Sequence, residues 1–86
     1  MSIITVEYAP GGTDPVHTHD AQALVYVLEG SIHVYMREPK EDVLLKVGES
    51  FTLQPRRPHL VTNAGDKSAT FLILQGIGEY DFVPLT

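Results

Sequence analysis

An 86-residue chain with no cysteine, 43% apolar residues and 20% charged residues is expected to make one small domain spanning residues 1–86 rather than a multidomain enzyme, and the lack of cysteine excludes a disulfide framework and a thiolate metal site within it. Eleven acidic residues against six basic ones leave a net charge of −5, the wrong sign for gripping a phosphate backbone, so nucleic acid is not an expected partner. The longest apolar run, Ala23 to Leu28, is far too short to cross a bilayer, and Met1 to Pro10 lacks the basic and apolar regions of a secretion signal; no membrane partner and a cytoplasmic location are expected.

Turn signals punctuate the chain at short, nearly even intervals: Pro10-Gly11-Gly12, Glu29-Gly30, Glu38 to Asp42, Val47-Gly48, Pro55 to Pro58, Asn63 to Asp66 and Gly76-Ile77-Gly78. No interval between them is long enough for an ordinary helix. The intervals are rich in Val, Ile, Leu, Thr, Phe and Tyr, which predicts strands over Ile3 to Tyr8, Gln22 to Leu28, Ile32 to Met36, Val43 to Lys46, Ser50 to Leu53, His59 to Thr62 and Ala69 to Gln75. Short strands at this spacing predict an all-β antiparallel jelly roll or small closed barrel with essentially no helix.

The strands differ in kind. Ile32, Val34 and Met36 alternate with Ser31, His33 and Tyr35, the pattern of a strand with one buried face. Ala23 to Leu28 and Phe71 to Leu74 are apolar on both faces. One face suits a barrel interior. The other, in a chain whose core is marginal for a monomer, predicts a homodimer that includes the strand Ile3 to Tyr8. Tyr26 and Phe51 are expected to fill the barrel, and Tyr80, Phe82 and Pro84 to form a strap or swapped edge.

The chemistry is carried by histidines. His17 and His19 are separated by one residue, so on an extended segment both imidazoles project from one face and can share a metal ion. His59 follows the Pro55-Arg56-Arg57-Pro58 turn and is placed to bring a third imidazole from a neighbouring strand. His33 lies on the face opposite Ile32 and Val34 and reads as a solvent or interface residue. Arg56 and Arg57 read as a solvated turn, with a carboxylate clamp as the functional alternative. Glu49 and Asp20, near these segments, read as exposed.

The spacing of these residues resembles the cupin family. Its first motif runs Gly, five residues, His-x-His, three or four residues, Glu, six residues, Gly; Gly11, His17, His19 and Gly30 fall in register, but Ala23 stands where the Glu belongs. Its second motif runs Gly, five residues, Pro-x-Gly, two residues, His, three residues, Asn; Gly48, His59 and Asn63 match, whereas Gln54 replaces the first Pro and Arg56 the Gly. The resemblance covers Ile3 to Leu74 and implies a conical antiparallel cupin barrel with a metal near its wider mouth.

By that resemblance His17, His19 and His59 are the metal ligands, and the carboxylate ligand common in the family is missing. Gln22, one residue early, is the candidate fourth ligand only if a bulge turns it inward. A three-His site with open positions suits Fe(II), Mn(II), Ni(II), Cu(II) or Zn(II), and similarity to three-His dioxygenases makes Fe(II) the first choice. The expected function is a metal-dependent oxygenase of dioxygenase type acting on a small anionic or enolisable substrate. The alternatives are a metal-dependent lyase or isomerase, and a non-catalytic binding module.

Overall fold

The computed structural model describes residues 2–19, 21–76 and 83–84, in which every regular element is a strand. They are β1 (Ser2–Tyr8), β2 (His17–Thr18), β3 (Ala23–Glu29), β4 (Ser31–Met36), β5 (Glu41–Lys46), β6 (Ser50–Leu53), β7 (His59–Thr62), β8 (Ala69–Gln75) and β9 (Val83–Pro84). They form two antiparallel sheets, ordered β1-β8-β3-β6 and β5-β4-β7-β2-β9, the jelly-roll arrangement that the alternation and turn spacing predict. Seven strands coincide with the expected ones to within two residues. β2 and β9 are additional, each too short to leave a propensity signal.

The period-two alternation decides what lies between the sheets. From the first sheet come Ala23, Val25, Val27, Ala69, Phe71, Ile73 and Leu53; from the second, Ile32, Val34, Met36, Leu45 and Val61, all buried. Ile4, Val6, Val43 and Phe51 pack against this core. Phe51 is therefore inside, as expected, but Tyr26 is not. With Ala23, Val25 and Val27 facing in, Tyr26 must face out and is 37% exposed, because the pleat sends neighbouring side chains to opposite sides.

The core is closed by turns with specific demands. Gly30 joins β3 to β4 at φ +71°, and a Cβ there would lie 2.7 Å from the Ser68 carbonyl oxygen, so only glycine fits. Asn63, fully buried at the end of β7, donates through Nδ2 to the carbonyls of Tyr8 (3.0 Å) and Lys67 (2.8 Å) and accepts from the Gly65 amide (3.0 Å). One amide side chain thus ties three segments together at the end of β7 remote from His59. Pro84 lies in β9, which pairs with β2 at the sheet edge, opposite His17. Tyr80 and Phe82 lie outside the described residues.

Candidate metal centre

β2 is held in place by its neighbours rather than by its own sequence. His17 lies directly opposite His59 in the β2–β7 ladder, and Met36 flanks His59 on β4. The next segment is fixed by a bond from the Arg56 amide to the His19 carbonyl (2.7 Å). These contacts bring two stretches forty residues apart to one end of the barrel.

There, His17, His19 and His59 form a cluster in which one ring nitrogen of each lies within 4.8 Å of the others. All three are buried, at 1–2% exposure. Ring centroids are 4.3 Å apart for His17 and His59, 4.9 Å for His17 and His19, and 5.0 Å for His19 and His59.

The tautomers follow from the hydrogen bonds. A carbonyl oxygen only accepts, so Nδ1 of His17, 2.8 Å from the Pro15 carbonyl, and Nδ1 of His59, 2.9 Å from the Arg57 carbonyl, each carry the proton. Nε2 of both rings then holds a lone pair, as a metal ligand requires. Nε2 of His59 is buried with no hydrogen-bond partner, a cost the protein bears for a group meant to meet something.

Burial also favours the neutral form of His17 and His59. It pushes His17 below the ordinary histidine value, against the opposing effects of its bond to Pro15 and of nearby Asp14. His59 is pushed down to about 4, by burial first, with His17, His19 and Arg57 adding repulsion. Three clustered imidazoles, two of them held neutral with Nε2 lone pairs available, and no carboxylate in the cluster among the described residues, suit a divalent transition ion with open positions.

A cupin-domain family model matches residues 4–79. The chain belongs to the cupin family. It is 36% identical over 76 residues to a germin-like protein, subfamily 2 member 2, of Arabidopsis thaliana, covering 84% of this chain and 35% of that protein. This cupin therefore spans about a third of the length of the curated relatives it matches. Among solved structures it is similar to an oxalate oxidase in complex with the substrate analogue glycolate (25% identity, TM-score 0.82, 96% of this chain and 45% of that one). It is also similar in fold to an oxalate decarboxylase of Bacillus subtilis (21% identity, TM-score 0.90, 96% of this chain and 23% of that one).

The other residues singled out in the sequence lie elsewhere in the cupin. Ala23 faces the interior at 2% exposure, while Gln22 is exposed, its carbonyl accepting from the Gly76 amide. Arg57 does not extend freely into water. Its guanidinium bonds the carbonyls of Arg37 (3.0 Å) and Pro39 (2.7 Å) and pairs with Glu41 (3.2 Å), stitching β7's approach to the β4–β5 turn. Arg56 is exposed and adopts φ 56°, the left-handed conformation that the motif's missing glycine would take without strain. His33 sits on the outer face, 3.0 Å from the Tyr35 hydroxyl and 3.5 Å from Asp42. Glu49 caps the β5–β6 turn by accepting from the Lys46 amide. Asp20 lies outside the described residues.

Asp14 was not legible in advance. Its Oδ1 accepts from the Val61 amide (2.8 Å) and lies 3.9 Å from His17 Nδ1, and its Oδ2 accepts from the Tyr8 hydroxyl (2.9 Å). It pins the segment leading into β2 against β7 and adds negative potential behind the His17 ring. A carboxylate three residues before the first motif histidine is the only sequence signal for it.

Proposed function

We propose that this cupin binds one divalent transition-metal ion through His17, His19 and His59 and acts on a small anionic or enolisable oxygen-donor substrate, as an oxygenase of the dioxygenase type with Fe(II) as the ion. The observation that carries this reading is the buried three-imidazole cluster with two rings locked in the ligand tautomer. Such an ion, when bound, supplies Lewis acidity and, as Fe(II), a place for dioxygen beside the substrate.

The protein's own contribution is positioning. The backbone carbonyls of Pro15 and Arg57 fix the ring orientations of His17 and His59, and Asp14 steadies the first of these from behind. The buried side chain of Met36, paired with His59 across the β4–β7 ladder, adds apolar surroundings, which strengthens the attraction between the centre and an anion. Neutral ligands leave the ion's full charge to be met by substrate, which favours a carboxylate, an α-hydroxycarboxylate or an enolate. Likeness to an oxalate oxidase structure with bound glycolate supports the same ligand class.

A lyase or isomerase reading is supported by a different likeness, to an oxalate decarboxylase. Turnover by the anaerobically iron-loaded protein separates the two. Oxygen uptake and product formation are measured over a panel of diketones, flavonols, thiol acids, glycolate and oxalate, beside a His17→Ala control. Oxygen-dependent turnover lost in the control supports the oxygenase. Conversion without oxygen uptake supports the lyase, and tight binding without turnover identifies a binding module.

The same proposal includes a homodimer. On the outer face of the first sheet, Ile3, Leu74 and Leu24 lie in one cross-strand row, and Thr5, Leu72 and Tyr26 in another. Ile3 is 57% exposed and Tyr26 37%. A largely apolar face on so small a domain suits a second copy related by a twofold axis, which would cover both rows at once.

A further inference from the structure

The family's carboxylate is absent at position 23, yet the inner wall beside that position is not wholly apolar. Across the first sheet, Ser2, Gln75, Ala23 and Leu53 form a single cross-strand row. Gln75, Ala23 and Leu53 are buried at 1–2% exposure. In β8 the inward positions are Ala69, Phe71, Ile73 and Gln75, so the apolar series ends in a carboxamide at this row. Gln75 is the one amide among the three buried side chains of the row.

The row lies at the end of the barrel that holds the histidines. Ala23 is four residues from His19, Leu53 is six residues from His59, and the loop after Leu53 is bonded to His19 through the Arg56 amide. Beyond β8, the Gly76 amide donates to the Gln22 carbonyl (3.3 Å), which locks the register of Gln75 against Ala23. Directly opposed residues on antiparallel strands have Cβ atoms about 5 Å apart. A glutamine has the same number of side-chain carbons as a glutamate, and the methyl of Ala23 is far smaller than the glutamate side chain that the family's motif places there. A carboxamide from β8 therefore stands one strand over from the place where β3 lacks the family's carboxylate.

The geometry points to Gln75 as the fourth protein ligand of the metal centre, its carboxamide oxygen taking the place vacated at Ala23. The inference rests on the metal-site reading above and adds to it a three-imidazole, one-amide set in place of the three-imidazole, one-carboxylate set. An amide oxygen suits hard or borderline divalent ions and brings no charge. The ion then keeps its full positive charge while gaining a fourth anchor, and the demand for an anionic substrate becomes a property of this chain's ligand set. Gln22, exposed on the other side of the strand, is not part of it.

The test uses Co(II) binding to the metal-free full chain, followed by calorimetry and by the visible ligand-field spectrum, which reports coordination number. Gln75→Ala is expected to weaken Co(II) binding by about 10- to 100-fold and to change the spectrum, and Gln75→Glu to strengthen it, with Gln22→Ala matching the parent. In an Ala23→Glu background, Gln75→Ala is expected to cost little, because a carboxylate fills the position; a purely structural role would cost the same in both backgrounds. Should Gln75→Ala fail to fold, Gln75→Met, similar in volume and lacking the amide, decides in its place. Parental affinity and spectrum in a folded Gln75 variant would overturn the assignment while leaving the three-histidine site standing. Failure of the parent itself to bind Co(II) would instead overturn the metal-site reading and this inference with it.

Discussion

His17 and His59 face each other across the β2–β7 ladder with ring centroids 4.3 Å apart, each ring held through Nδ1 by a carbonyl two residues upstream. The repeated device means that neither ring can turn without breaking its hydrogen bond, so the lone pairs converge before anything binds. Preorganisation of this kind lowers the cost of capturing an ion.

Removal of one imidazole should therefore abolish the site rather than loosen it. His59→Ala is expected to reduce metal content after purification without a histidine tag from about one ion per chain to near zero, measured by elemental analysis. Unchanged metal content in a folded variant would place the site elsewhere.

Acid should act on the metal-free protein through the same rings. His59 titrates at about 4 in the folded chain and near the ordinary 6.5 when unfolded. Between these values the unfolded chain binds more protons than the folded one, so stability rises with pH and is lost as pH falls from about 6.5 towards 4. His17, also pushed down by burial, contributes in the same sense. Thermal melts of metal-free protein from pH 4 to 8 should show Tm falling through this window, and His59→Gln should flatten the slope. Bound metal should shift the loss to lower pH, because protons must displace it.

Ala23→Glu should restore a carboxylate on the inner face. With Ala23 buried and inward, the variant is expected to bind metal at least tenfold more tightly and with an altered ligand-field spectrum. It should also lose affinity for anionic ligands such as glycolate, since the site's charge falls by one. Unaltered metal affinity and spectrum would mean that the position does not look onto the centre.

Arg56 pays for its left-handed backbone, φ 56°, with roughly 1 kcal/mol of strain. Arg56→Gly is expected to raise Tm by a few degrees in a domain of this size, as read by calorimetry, with metal binding unchanged because the His19 carbonyl is bonded by the backbone amide and not by the side chain. A lower Tm would show that the arginine side chain stabilises the turn by more than its backbone costs.

The outer apolar rows predict the assembly. Sedimentation equilibrium at micromolar concentration should give twice the 9.5 kDa chain mass, and Leu74→Glu, placed between Ile3 and Leu24, should give the single-chain mass. A parent protein at 9.5 kDa would remove the dimer.

The alternation along Ile32 to Met36 and the turn residues at Gly30 and Gly48 were enough to define the strands, because a pleated strand with one dry face writes its period directly into the sequence. The three histidines were legible for the same reason: a period-two pair and a histidine at the head of a strand are local patterns, and their spacing matched a known family. Tyr26 was misplaced because its run is apolar on both faces, and composition alone does not say which face is inside. Asp14 and Arg57 could not be read because the backbone partners that hold them, Val61 for one and Arg37 and Pro39 for the other, lie far along the chain. The sequence by itself determined the class of fold, the family and the loss of a carboxylate at Ala23. Only the tertiary structure decided what stands beside that loss, since Gln75 and Ala23 are separated by more than fifty residues and meet solely through the register of β3 against β8, a relation set by hydrogen bonding between strands and recorded in neither segment alone.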